Sequence, residues 1–246
     1  MIAAQHIDGP NGRLAYERLE GAGPSVVWLG GFRSDMTGTK ASFLADWARR
    51  RGRAYVRFDY SGHGASDGAF EDGCLSDWTA DALVVLDALT QGPQILVGSS
   101  MGGWIATLLA RARPERLAGL VYIAPAPDFT EELLWKSLDD EARRQLEREG
   151  RLALPSDYAP EPDVFTWKLI EDGRRNLVLG APLDFAVPVR ILQGMNDADV
   201  PWRHAMRLAE AIRSPDLLVT LTGAGDHRLS TPADLDRLAA AIESIG

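Results

Sequence analysis

A serine held between glycines, Gly98-Ser99-Ser100-Met101-Gly102, stands where an apolar run ends and an amphipathic one begins. The run Gln94–Val97 reads as a buried strand, and Met101–Arg113 as a helix stopped by Pro114. Ser100 then occupies a sharp strand-to-helix turn, where side chains at positions 98 and 102 would collide with their neighbours. Free N–H groups at the start of the helix face the same spot. The chemistry this suggests is attack by the Ser100 hydroxyl, which is a poor nucleophile until a base takes its proton. The plain alternative is a glycine-rich turn that happens to contain serine. The flanking strand and helix argue against it.

The search for a base is short, because the chain has four histidines. His6 falls in an N-terminal hairpin, His63 in the turn Asp59-Tyr60-Ser61-Gly62-His63-Gly64, and His204 at the start of a helix. His227 follows the last strand, in Gly225-Asp226-His227. Ligands of an open α/β sheet gather beyond the carboxyl ends of the strands, which favours His63 and His227. Gly-x-Ser-x-Gly between strand and helix resembles the nucleophile elbow of the α/β-hydrolase fold, where the chain order is serine, acid, histidine. That order selects His227. For the acid, the loop Gly194-Met195-Asn196-Asp197-Ala198-Asp199 offers two carboxylates, and position alone leaves both Asp197 and Asp199 open. An oxyanion needs two preorganised N–H donors. The backbone of Met101 supplies one, and the loop Gly30-Gly31-Phe32-Arg33 supplies the other from Phe32. A tight turn with no ligand is the bland reading of that loop.

The elements that must hold these residues follow from the rhythm of the chain. Alternation around Asn11-Gly12 predicts a hairpin within residues 3–20. Strands are expected at Ser25–Leu29, Ala54–Phe58, Gln94–Val97 and Leu117–Ile123, with helices at Phe43–Arg51, Leu75–Leu89 and Met101–Arg113 between them. This rhythm implies a mostly parallel sheet covered by helices on both faces. It breaks at Pro125. Leu134, Leu138, Ala142 and Leu146 then share a helical face, and a second helix is expected over Val164–Asn176. The rhythm resumes with strands at Val189–Gln193 and Leu217–Leu221 and helices at Trp202–Ile212 and Pro232–Ile245. The domain reading is an α/β core over 1–127 and 187–246, with a helical lid at 128–186 inserted after the sixth strand.

The 246 residues are 46% hydrophobic and 25% charged, ordinary values for a soluble globular chain. A formal net charge of −9 argues against nonspecific attraction to nucleic acid or anionic membranes. No apolar run approaches the roughly 20 residues needed to span a bilayer. Cys74 is the single cysteine, so no internal disulfide forms and a Cys-based zinc site is disfavoured. Together with an N-terminus lacking a signal-peptide pattern, these features give the expectation of a cytoplasmic protein.

Several stretches resemble one particular branch of the α/β-hydrolases. They are Gly31 to Lys40, Arg57 to Gly62, Gly92 to Trp104, and Gly194 through Trp202. The branch is that of the mitochondrial palmitoyl-protein thioesterase that also acts as a mycophenolic acid acyl-glucuronide esterase. The resemblance runs from about residue 25 to the end. It implies hydrolysis of thioesters, acyl glucuronides or small aryl esters, of small molecules or acylated proteins, with no metal or organic cofactor. It carries the triad onto Ser100, Asp197 and His227, preferring Asp197 because it lies three residues after Gly194 and shortly before Val200-Pro201. The absence of an evident mitochondrial targeting segment fits a bacterial-type relative. The insertion is expected to cover the site, with Trp135, Phe165 and Trp167 either lining an acyl pocket or simply packing the insertion. Arg33, Asp35 and Lys40 are read as salt-bridging or capping residues, Asp59 and His63 as fixing their loop, and Cys74 as a bystander. Carbon–carbon hydrolases and lipases share this fold, and a hydrolase-like receptor with little turnover is the rival from another class.

Overall fold

The Asn11-Gly12 turn closes a hairpin of β1 (Gln5–Gly9) and β2 (Gly12–Leu19), with Gly12 at φ +126°, a value that side chains disfavour. A computed structural model describes residues 4–156 and 160–246. Met1–Ala3, part of the N-terminal stretch read above for a leader, and Asp157–Ala159, within the insertion, lie outside the described residues. After the hairpin come β3 (Ala22–Leu29), α1 (Thr39–Arg51), β4 (Arg53–Phe58), α2 (Leu75–Leu89), β5 (Gln94–Ser99), α3 (Met101–Ala112) and β6 (Leu117–Ile123). The insertion holds α4 (Asp140–Glu149), β7 (Arg151–Leu154), β8 (Asp163–Thr166), α5 (Trp167–Arg175) and β9 (Leu183–Asp184). Then follow β10 (Val189–Gly194), α6 (Trp202–Ala211), β11 (Ile212–Arg213), β12 (Leu217–Thr222) and α7 (Pro232–Glu243).

Eight strands form one sheet in the order β1-β2-β4-β3-β5-β6-β10-β12. Strand β2 runs antiparallel to both its neighbours, and the pairings from β4 to β12 are parallel. Successive side chains of a strand point to opposite faces. In β3 and β5, Val27, Leu29 and Leu96 enter the layer shared with α2, α3 and α6. Val26, Trp28, Ile95 and Val97 enter the layer shared with α1 and α7. Every residue of β5 and β10 is buried, as expected of central strands covered on both faces.

The insertion is helical, as its periodicity predicts, but it contains more than two helices. The face of Leu134, Leu138, Ala142 and Leu146 is split between a π-helical turn, Thr130–Trp135, and α4. The break comes at Asp139, whose carboxylate accepts the Ala142 N–H at 2.8 Å and starts a new helix. Likewise the helix expected from Val164 begins at Trp167, because Thr166 caps it by accepting the Leu169 N–H at 3.1 Å. Val164, Phe165 and Thr166, β-branched or aromatic, pair instead with β7 in an antiparallel hairpin.

Candidate functional site

Ser100 links β5 to α3 with φ 54° and ψ −119°, a conformation that L-residues rarely adopt. The surrounding backbone enforces it. The Ser100 N–H donates to the Ile123 carbonyl at 2.9 Å, and its carbonyl accepts the N–H groups of Gly103 (2.9 Å) and Ala126 (3.1 Å). Glycine is required on both sides. A Cβ on Gly98 would strike the Gly102 carbonyl, and one on Gly102 would strike the carbonyl of Leu29. The sharp turn expected from the sequence is therefore present, with its neighbours packed against it.

His227 lies in the loop after β12, beyond the carboxyl end of the sheet. Its Nε2 accepts a hydrogen bond from Ser100 Oγ at 3.1 Å, and its Nδ1 donates to Asp197 Oδ2 at 2.9 Å. Since an ionised carboxylate only accepts, Nδ1 carries the proton, which leaves the Nε2 lone pair facing the serine. The Asp197 side chain is fully inaccessible to solvent. Its Oδ1 accepts the N–H groups of Asp199 (3.0 Å) and Val200 (2.8 Å), and its Oδ2 also accepts Gln193 Nε2 at 3.0 Å. Of the two candidate acids, Asp197 is the one bonded to His227, while the backbone N–H of Asp199 helps to hold it.

Gln193 was not singled out from the sequence. Its signal was available: an amide in the otherwise apolar end of a buried strand needs partners. Its Nε2 finds three, in Asp197, the Gly194 carbonyl and the Val200 carbonyl.

Met101 follows Ser100 directly, and the Gly30–Arg33 loop that contains Phe32 packs beside the serine. Met101 opens α3, where an N–H has no acceptor within the helix. The loop before Phe32 approaches closely, since a Cβ on Gly31 would lie 3.4 Å from the Ser100 Cβ. The Phe32 ring stacks on Phe165 at 5.2 Å and meets Phe70 and Phe129 edge-on at 4.8 and 5.8 Å. Of Trp135, Phe165 and Trp167, Phe165 is therefore the one that meets this loop by ring contact, and Phe129 at the start of the insertion meets it too. Trp135 and Trp167 contact each other at 5.6 Å and belong to the insertion's own apolar cluster.

The neighbouring charged groups are engaged structurally. Arg33 pairs with Asp163 at 3.3 Å and covers the Phe70 ring at 4.4 Å. Asp35 accepts the Thr37 N–H, and Asp59 accepts the N–H groups of Met36 and Ala65. His63 is caged by Tyr60, Phe70 and Trp78, and burial presses its imidazole down to about 4. Burial also lowers His204, whose Nε2 hydrogen-bonds the Pro127 carbonyl. The Cys74 thiol is pushed up to about 12 by burial and donates to Asp77, which leaves no reactive thiolate. Lys40 departs from the expectation of a salt bridge or cap: its ammonium donates to the Arg228 carbonyl. Asp197, Asp199 and His227 bring ligand atoms within 4.8 Å of one another. A cation there would have to displace the Asp197–His227 hydrogen bond, so the donor set fits a hydrogen-bonded chain better than a metal.

A serine on a strained strand-to-helix turn at the end of β5, with a histidine after β12 hydrogen-bonded to it, sits in a mostly parallel sheet covered by helices. The chain belongs to the alpha/beta hydrolase family, whose model matches residues 23–244. It is 38% identical over 235 residues to the Mus musculus protein named palmitoyl-protein thioesterase ABHD10, mitochondrial, covering 94% of this chain and 78% of that protein. The structure of alpha/beta hydrolase domain-containing protein 10 from mouse superposes with a TM-score of 0.91 at 35% identity, covering 99% of this chain and 98% of that one. A crystal structure of an Agrobacterium vitis S4 protein gives a TM-score of 0.95 at 46% identity, over 100% of this chain and 99% of that one. The resemblance read from the sequence is thus borne out. The cytoplasmic expectation is corrected, because the palmitoyl-protein thioesterases matched over most of the chain are named as mitochondrial. Its grounds were too weak: a lack of disulfides suits any reducing compartment and cannot separate one from another. Among the described residues no helix is long and apolar enough to cross a membrane.

Proposed function

We propose that this chain is a serine hydrolase that cleaves activated carboxylic esters or thioesters through an acyl-enzyme. The observation that carries the reading is the hydrogen-bonded chain Ser100–His227–Asp197 at the tip of a strained turn. Ser100 Oγ attacks the acyl carbon while His227 Nε2 takes its proton. The N–H groups of Phe32 and Met101 receive the negative charge that develops on the acyl oxygen. As the tetrahedral adduct collapses, the bond to the leaving sulfur or oxygen breaks, and His227 returns its proton to that atom. Water then attacks the acyl-enzyme with His227 as base, releasing the carboxylic acid and restoring the Ser100 hydroxyl. Asp197 holds the imidazole in the required tautomer and stabilises its protonated form.

The relatives named as palmitoyl-protein thioesterases favour thioesters among the possible substrates. Residues 128–186 act as a lid over this site, meeting the Phe32–Arg33 loop through Phe129, Asp163 and Phe165. The test compares hydrolysis of a p-nitrophenyl ester series and of acyl thioesters of graded length by wild type and Ser100→Ala. Wild type turns over both classes, and Ser100→Ala loses kcat by at least about a thousandfold. A folded Ser100→Ala enzyme with wild-type turnover would overturn the reading.

A further inference from the structure

The motif from Phe32 to Lys40 ends in a lysine whose role the reaction above leaves open. Lys40 lies on the first turn of α1 and is half-buried. A lysine there would ordinarily extend its strongly hydrated ammonium to water or to a carboxylate. Among the described residues it makes no ion pair within bonding distance. Instead Nζ donates at 2.5 Å to the backbone carbonyl of Arg228, 188 residues further along the chain. Ordering so long a side chain costs conformational entropy, so the contact is not what a free surface lysine would adopt.

The carbonyl it holds belongs to the loop that carries His227. That loop has no ladder of strand hydrogen bonds to fix it. It hangs on single contacts: the Gly225 carbonyl accepts the Asn196 N–H at 2.9 Å, and Asp226 Oδ1 accepts the Leu229 N–H at 2.9 Å. Leu229 itself turns the chain at φ 43° and buries its side chain in the layer beneath α1 and α7. The Arg228 carbonyl stands between His227 and this turn. It accepts from Lys40 Nζ and from Ser230 Oγ at 2.9 Å. Lys40 is thus a tie from α1 to the residue beside the base.

We propose that Lys40 is a positioning residue which, through the Arg228 carbonyl, holds the His227 loop so that Nε2 stays within reach of Ser100 Oγ. This rests on His227 being the base. Burial presses the Lys40 ammonium down to about 8, with Asp226 and Asp234 favouring its charge and Arg228 opposing it. Its bond to the carbonyl is therefore charge-assisted at neutral pH and weaker in alkali. A misplacement of a base by about 1 Å costs up to about a hundredfold in rate.

The test measures kcat, KM and their pH dependence on an acyl thioester for wild type, Lys40→Met and Lys40→Arg, with a thermal melt for each. Lys40→Met keeps the stem and removes the donor. It should lower kcat by about ten- to a hundredfold at unchanged KM. Lys40→Arg, which keeps a cationic donor, should recover most of that loss. The wild-type kcat should fall as the pH passes about 8, whereas Lys40→Arg holds its plateau to higher pH. Should Lys40→Met fail to fold, the wild-type and Lys40→Arg profiles still decide. Wild-type kcat in Lys40→Met, or superimposable wild-type and Lys40→Arg profiles, would overturn the proposal. Ser100→Ala run alongside separates the two failures: turnover surviving in that variant sinks the serine mechanism itself, while its loss beside an unaffected Lys40→Met sinks only the role of Lys40.

Discussion

The central sheet and the segment inserted between β6 and β10 are held by different forces. Strands β5 and β10 bury every residue, and their side chains feed two continuous apolar layers. The insertion has its own small apolar cluster of Leu134, Leu138, Leu146, Leu152 and Ile170, and lends Leu169, Val178, Leu183 and Phe185 to the layer shared with α2, α3 and α6. Much of its attachment to the body is polar. Asp163 pairs with Arg33, Lys168 with Asp77 and Glu132 with Arg207, while Asp172 accepts from both the N–H and the hydroxyl of Ser76. Apolar burial is insensitive to pH and scales with area, whereas partly exposed ion pairs are weak and screened by salt. The residues proposed for the chemistry hang on the first kind of structure. The segment proposed to cover them shares in the first through Leu169, Val178, Leu183 and Phe185 but adds the second at its polar ties, and local opening is drawn from such weakly held contacts.

The contrast can be broken most forcefully from the sheet side. Ile191 is fully buried in β10, and Ile191→Ala should cost about 2–5 kcal/mol. A single cooperative urea transition, moved to lower midpoint by every probe, is the expected reading. Next comes the start of the insertion. Asp128, at φ 57°, accepts the N–H groups of Val178 and Leu179 at 2.8 and 2.9 Å. Replacing it with alanine should cost about 1–3 kcal/mol, because one buried and one partly buried donor lose their acceptor. Hydrogen exchange should quicken at residues 176–180 while β5 amides stay protected. Equal acceleration in β5 would show that the two regions are not separable.

The smallest effect is a titration. Arg207 and Lys136 beside Glu132 hold its carboxyl down to about 2, below its usual 4.5. A depressed carboxyl contributes stability that is complete above its unfolded value and is lost as the pH falls through its folded value. The insertion should therefore loosen between about pH 4.5 and 2, and Glu132→Gln should flatten the loss in that window. Melting curves across the acid range for both proteins check this. Identical slopes would remove Glu132 from the set of ties.

What the sequence made legible was what local sterics dictate. Gly98 and Gly102 are readable because only glycine fits against the carbonyls beside the elbow. The strand rhythm is readable because burial on both faces demands continuous apolar runs. Asp197 and Asp199 were harder to separate, since two residues along one loop differ only in which carboxylate the fold turns inward. Gln193 escaped notice because its partners, the Asp197 carboxylate and two carbonyls, are brought together only by the folded loop. In the insertion, the single caps at Asp139 and Thr166 moved helix starts that periodicity alone extended too far. The contact of Lys40 with the far end of the chain had no sequence signal beyond the motif that contains it.

The central claim is that Ser100 is the nucleophile and His227 its base. The most direct test treats the folded protein with a fluorophosphonate and locates the adduct by peptide mass spectrometry. One adduct per chain is expected on Ser100, absent from Ser100→Ala and formed far more slowly in His227→Ala. Modification of a different residue, or labelling of His227→Ala at the wild-type rate, would contradict it.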